Sequence, residues 1–412
     1  MHKRLLLRLP CRMQVWILTF SIAFGFPAGV TAKRRPSSAR WAGACVTSRS
    51  PREVRGCPSA EPAYANSVDG DSVTGEDLTV RRITVQALGT NYGSVLVVDS
   101  STGRVLSIVN QRLALSEGFQ PCSTFKLSIA LAALSEKVIA PSDTVPAGRT
   151  NIDLTDALAR SNNHFFENLG CELGFERVSY YAHQFGYGEK AGLNIVGEGT
   201  GHFPPAPPSN GGVGRLSSFG EEIAQTPFQF AALLGAIANG GTLYCLQYPR
   251  NAQEDAAFTP KVKRKLSMKQ PISAIIPGLR EAVEWGTARG SRQAEPIAGK
   301  TGTCSEGGTH LGWFGAFNCV GRKLVVVVLL MGGRQATGPR AARIAGEIYR
   351  QLSEENYLIE LPVPPSSAPP VRRPARSGSF LAKVLILLSS FAILFLIRQK
   401  LKERKRRTGL QF

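Results

Sequence analysis

Pro121-Cys122-Ser123-Thr124-Phe125-Lys126 is the stretch on which the reading of this chain turns. It opens a segment from about Ser123 to Glu136 in which Phe125, Ile129, Leu131 and Leu134 recur at helical spacing among small residues. If the helix starts here, Ser123 and Lys126 are three apart and share one face. A serine hydroxyl is a poor nucleophile until a base removes its proton. A lysine can be that base when burial and the positive end of the helix push its pKa down. Backbone N–H groups at such a helix start also suit a developing oxyanion. An S-x-x-K alone is weak, since chance supplies about one or two in a chain this long.

Two further clusters carry matching chemistry. Ser161-Asn162-Asn163 lies in a helical region. A serine and an asparagine two apart can share a loop before a helix, with the hydroxyl relaying a proton and the amide holding a substrate carbonyl or N–H. The plainer reading is a helix N-cap. Gly299-Lys300-Thr301-Gly302-Thr303 stands on an expected strand close to a Val/Leu run. There Lys300 and the threonine hydroxyls can bind a carboxylate, and Gly302, without a Cβ, lets an extended substrate approach the strand. The plainer reading is a turn-forming glycine cluster.

Around these clusters the chain reads as an α/β (α+β) body. Regular structure is expected to start at Arg82-Ile83-Thr84-Val85, followed by two strands, Gly93–Asp99 and Arg104–Val109, around a tight turn. A helical block covers roughly 152–185, and a Gly- and Pro-rich excursion over the surface covers 186–220. A helix with Pro227 in its first turn runs to Asn239-Gly240-Gly241. Strands at Pro296–Cys304, Leu311–Phe317 and Leu324–Met331 precede a helix from about Pro339 to Leu352. Strands distant in sequence would thus meet in one largely antiparallel sheet, with helices on its faces and a mostly helical second lobe across a cleft.

The 412 residues carry a net charge of +19, but its distribution excludes a nucleic-acid binder. Residues 1–12, 33–55 and 371–412 hold excesses of +4, +6 and +10, leaving the rest near −1. The basic residues belong to the ends. Residues 1–32 read as an export signal, with an apolar core from Val15 to Phe24 and small residues approaching Ala32. Residues 33–82 read as a linker or stalk without periodicity, and 357–379 as a Pro-rich spacer after a body spanning 83–356. Phe380–Ile397 is apolar enough for a transmembrane helix of about 27 Å. The basic residues 398–412 behind it then lie in the cytoplasm, and the body on the outer side. The eight cysteines show no metal spacing. Cys45 and Cys57 are a candidate local pair, whereas Cys122 and Cys304, which flank the first and third clusters and could lie near each other in the cleft, read as small packing residues, with a thiol role as the alternative.

Together and in this order, S-x-x-K, S-x-N and K-T-G resemble the motif set of penicillin-binding proteins and serine β-lactamases, with Asn162 where the set has Asp. The body most resembles the transpeptidase domain of penicillin-binding proteins. Gln225-Thr226-Pro227-Phe228-Gln229, Ala238-Asn239-Gly240-Gly241, Trp285-Gly286-Thr287-Ala288 and Gly312-Trp313-Phe314 also fit. The resemblance implies a β-lactamase/transpeptidase-like fold with a five-stranded sheet. It implies that Ser123 is acylated by D-Ala-D-Ala stem peptides of peptidoglycan and that β-lactams inhibit it. Lys126 and Ser161 would assist catalysis, and Asn163, Lys300, Thr301, Gly302 and Thr303 would bind substrate. The N–H groups of Ser123 and Thr303 would form the oxyanion hole, with neither metal nor cofactor. Nothing before residue 83 is long enough for a glycosyltransferase domain or a long pedestal. A C-terminal membrane helix resembles the small carboxypeptidase members, which leaves the acceptor, amine or water, open.

Two alternatives stay open. Ser-Thr-Phe-Lys is also typical of class D β-lactamases, but the tryptophans are Trp16, Trp41, Trp285 and Trp313, none of them in the 186–220 excursion where those enzymes carry one. Ser161-Asn162-Asn163 departs from their Ser-x-Val, and Glu189 and Glu198 lack the local motif of a class A glutamate. The other alternative is a non-catalytic membrane-bound β-lactam sensor. No G-x-S-x-G elbow supports a Ser-His-Asp hydrolase, and His164 reads as a helix-surface or packing residue.

Overall fold

The computed structural model describes residues 67–147, 150–268, 270–359 and 393–403. Its centre is a five-stranded sheet of order β2-β1-β9-β8-β7, antiparallel at every pairing. The strands are β1 (Gly93–Asp99), β2 (Val105–Val109), β7 (Ile297–Glu306), β8 (Thr309–Asn318) and β9 (Leu324–Gly332). One face is covered by α1 (Leu78–Leu88) and α11 (Gly338–Glu354). Between β2 and β7 the chain builds the helical part. It comprises α2 (Gln111–Ala114), a 3-10 turn (Cys122–Phe125), α3 (Lys126–Ser135), α4 (Leu154–Ala159), α5 (Asn163–Leu173), α6 (Phe175–Gln184), α7 (Gly212–Phe219), α8 (Pro227–Ala238), α9 (Ala252–Ala256) and α10 (Ile276–Glu284). Two short hairpins, β3 (Val145–Ala147) with β4 (Thr150–Ile152) and β5 (Thr242–Tyr244) with β6 (Val262–Lys265), decorate it.

The unbroken Leu324–Leu330 run follows from a sheet buried on both sides. Side chains alternate across a strand, and here both faces meet apolar partners. Val325, Val327 and Leu329 join the core with α3 and α8, while Leu324, Val326, Val328 and Leu330 join the core with α1 and α11. Leu96 and Val98 against Val95 and Val97 divide the same way on β1. Every residue of α8 is buried, which is why its sequence is apolar all round. Its first turn is fixed by a capping box between Thr226 and Gln229. Tyr349 of α11 donates to the Leu324 and Ala316 carbonyls at 3.0 and 2.8 Å, pinning that helix to β8 and β9.

The body starts earlier than expected, and as a helix. Asp77 caps α1 by accepting from Thr79 and Val80 N–H groups, so the expected linker of 33–82 is structured from residue 67 onward. The β-branched Val80, Ile83 and Thr84 look strand-forming, yet with Leu88 they line one buried helical face. Asp71 and Glu76 add a buried anchor through Arg81, which also donates to the Ile108 carbonyl. The 186–220 segment is likewise more than a surface excursion. Tyr187, Ala191, Glu198 and Phe203 are buried, and the segment ends in α7. Residues 1–66, including the expected signal and Cys45–Cys57, lie outside the described residues, as do 361–379 and most of 380–397. Among the described residues no helix is long and apolar enough to cross a membrane.

Close approach between β8 and the start of α11 depends on Gly312. A Cβ there would sit 2.5 Å from the backbone N and C of Thr337. Gly312→Ala is expected to cost about 1–3 kcal/mol, read as a lower urea midpoint at unchanged slope.

Candidate functional site

The first motif straddles a helix boundary. Cys122–Phe125 forms the 3-10 turn and Lys126 opens α3. Ser123 sits in the turn, half-buried. The N–H groups that open a helix have no acceptor within it, so this turn presents donors beside the Ser123 hydroxyl. Beneath it, Thr124 donates to the Pro121 carbonyl at 2.8 Å and to Gln225 Oε1 at 3.1 Å. Gln225 in turn donates to the buried Tyr187 hydroxyl at 3.0 Å. Phe125 packs edge-on against the Tyr187 ring.

Lys126 is the node of the site. Its Nζ lies within hydrogen-bond distance of Ser123 Oγ (3.1 Å), the Ser161 carbonyl (2.8 Å), Ser161 Oγ (3.2 Å) and Asn163 Oδ1 (2.5 Å). Ser161 holds a left-handed φ of 54° between α4 and α5, which turns both its carbonyl and its hydroxyl toward Lys126. Asn162 caps α5 by accepting from Phe165 N–H at 2.9 Å. In the second motif the middle residue is thus the helix cap, and the outer two face the lysine.

The third motif lies on β7, the edge strand beyond β8. Lys300 is fully buried and donates to Ser161 Oγ at 2.8 Å and to the Thr301 carbonyl at 3.0 Å. Ser161 Oγ thus bridges the two amines. Gly302 passes close to the Cys122–Phe125 turn, where a Cβ would lie 2.9 Å from the Pro121 carbonyl oxygen. The hydroxyl of Thr301 donates to Thr287 Oγ1 at 2.7 Å, and that of exposed Thr303 accepts from Gly338 N–H at 2.8 Å. The Thr301 and Thr287 hydroxyls are thus paired with one another, and the Thr303 hydroxyl keeps its own proton. Thr287, whose N–H is held by the Ala159 carbonyl, was present in the sequence as part of a matching segment, with no chemistry of its own to single it out.

Burial pushes the Lys126 amine down to about 7, partly offset by the Glu167 carboxylate. Burial, then the neighbouring charge of Lys126, pushes Lys300 well below the usual lysine range. His164 is exposed on α5, paired with Glu167. The reading of Cys122 and Cys304 as packing residues is corrected: they form a disulfide with Cα atoms 5.6 Å apart. Their places beside the first and third motifs suggested nearness in the cleft, and the structure adds the bond between them, across a sequence separation of 182.

Comparison with known proteins matches residues 93–350 to the family model described as penicillin binding protein transpeptidase domain. The chain is 30% identical over 288 residues to stage V sporulation protein D of Bacillus subtilis, covering 60% of this chain and 44% of that one. It is 24% identical over 240 residues to the peptidoglycan D,D-transpeptidase FtsI of Escherichia coli K12, covering 48% and 41%. It thus spans less than half the length of these two curated relatives. A Pseudomonas aeruginosa PBP2 crystal structure, determined with WCK 5153, superposes with a TM-score of 0.60 at 22% identity, covering 70% of this chain and 77% of that one. The transpeptidase domain of Burkholderia pseudomallei penicillin-binding protein 3 gives 0.60 at 20% identity, covering 70% and 98%. These two likenesses establish the fold.

A lysine whose folded pKa is lowered binds fewer protons than the unfolded chain between about 7 and its ordinary 10.5, so stability rises with pH across that window. Lys126→Met is expected to remove this contribution. Urea unfolding at two pH values within the window should show wild type gaining on the variant at the higher one.

Proposed function

Because the chain belongs to the penicillin-binding-protein transpeptidase family, we propose that it is a serine acyltransferase of the peptidoglycan D,D-transpeptidase type, working through an acyl-enzyme on Ser123. The observation that carries this is the Lys126 amine, 3.1 Å from Ser123 Oγ and brought to about 7 by burial. A neutral Lys126 can accept the Ser123 proton near physiological pH. Oγ then attacks the carbonyl carbon of the penultimate D-Ala of a D-Ala-D-Ala stem peptide. The oxyanion is met by the N–H groups of Ser123 and Thr303. The proton passes through Ser161 Oγ to the departing D-Ala amine as the C–N bond breaks. An acceptor amine, or water in a carboxypeptidase reaction, then takes the acyl group from Ser123.

Other roles follow from the same geometry. The free edge of β7 suits an extended stem peptide, with Gly302 allowing close approach. Asn163, whose Oδ1 is occupied by Lys126, keeps its NH₂ for a substrate carbonyl. Lys300, with the Thr303 and Thr287 hydroxyls, would hold the terminal carboxylate, and the arriving anion favours the charged amine. β-Lactams would acylate the same serine. The apolar run 380–397 with the basic residues behind it supports a membrane tether, with the body on the outer face.

Incubating the full chain with a penicillin should give a long-lived adduct on Ser123 that Ser123→Ala abolishes; the absence of any adduct would refute the acyl-enzyme. Rapid loss of the adduct with hydrolysed penicillin accumulating would mean a β-lactamase instead. With a D-Ala-D-Ala pentapeptide, amide product formed when an acceptor amine is added would mark a transpeptidase, and D-Ala release alone a carboxypeptidase. The acylation rate should rise with pH through about 7. Glu167→Gln should move that inflection lower, because the Glu167 carboxylate favours the charged lysine.

A further inference from the structure

We propose that the Cys122–Cys304 disulfide is a positioning device for the acylation step, holding the two halves of the oxyanion site in register. This rests on the reading of Ser123 as the acylated residue. Each half-cystine is the immediate neighbour of one of the two oxyanion donors: Cys122 precedes Ser123, and Cys304 follows Thr303. The two donors arrive on separate elements, the 3-10 turn and β7. They must converge on one oxygen, and an error of about 1 Å in such geometry can cost on the order of a hundredfold in rate.

Ser161 Oγ, bridging Lys126 and Lys300, links the two elements through a third segment, and two direct ties lie elsewhere. Trp313 Nε1 donates to the Gln120 carbonyl at 3.0 Å, and the exposed Glu306 accepts from Gln120 N–H at 3.1 Å. Both act on residue 120, before the turn. Cys122 holds a left-handed φ of 53° and is fully buried, so the link is made by a residue whose own backbone sets the entry to Ser123. Cys304 is partly exposed on β7, which gives a reductant a route to the bond. The pair thus ties turn to strand covalently at the level of the reacting serine.

The test uses the full chain and a fluorescent penicillin, resolving the dissociation constant, the acylation rate constant and the labelled fraction. Peptide mapping by mass should first find Cys122 joined to Cys304; finding both as thiols in the purified, exported protein overturns the proposal. Reduction with a phosphine converts the bond to two thiols while water supplies the oxygen of the phosphine oxide. The acylation rate constant is expected to fall about 10- to 100-fold, with the dissociation constant little changed and the labelled fraction still complete. Reoxidation should restore it. Cys122→Ala/Cys304→Ala should show the same slow rate and no further response to the phosphine. A purely structural role would instead lower the labelled fraction and leave the rate constant of the active molecules unchanged, which overturns the proposal. Should the double variant fail to fold, the reduced wild type decides by the same two readouts. No labelling of the oxidised protein would refute the acyl-enzyme itself, an outcome distinct from equal rates in both redox states.

Discussion

Burying one lysine amine among oxygen acceptors organises this molecule. Lys126 leaves water entirely, and a buried amine without partners is costly. The cost is offset by acceptors drawn from three places: Ser123 on its own turn, Ser161 in the α4–α5 loop and Asn163 at the start of α5. To supply them, α5 must pack beside α3, and the loop must place Ser161 in a left-handed conformation that non-glycine residues seldom adopt. Lys300 adds a second buried amine to the same hydroxyl, so β7 is drawn into the arrangement as well. The low dielectric that makes the assembly expensive is also what brings Lys126 near neutrality.

The sheet makes this arrangement rigid. Its central strands are buried on both faces, so β7 is backed by β8 and β9 while its outer edge stays at the site. α8, wholly buried, packs on the sheet, and Gln225 just before it reaches Thr124 in the Cys122–Phe125 turn. Gly302 and Gly312 mark where backbones close to contact, the first between β7 and the turn, the second between β8 and the start of α11.

What could be read from the residues alone followed from how local each signal is. Ser123, Lys126, Ser161 and Lys300 announced themselves because few residue types suit such chemistry and the motif spacing is short, and the fold brings all four together. The sheet was legible from its long apolar strands. α1 was not, because its β-branched residues favour strands in isolation and only packing against α11 and the sheet makes the helix pay. The disulfide and the Thr301–Thr287 contact were hidden for another reason. Each joins segments whose proximity is a product of the whole fold, and neither cysteine nor threonine carries a spacing rule that would reveal it.

Sheet order also governs how the chain can acquire its shape. β1, near the start of the body, pairs directly with β9, more than two hundred residues later. Until β9 is available, β1 and β2 have no third strand, and α3 and α8 have no finished surface to cover. The helical middle must therefore wait, with its apolar faces exposed, for the last strands to close the sheet. Such non-local pairing makes folding slow and leaves intermediates prone to association. A chain cut short before residue 324 would retain all three motifs and still be unable to assemble them.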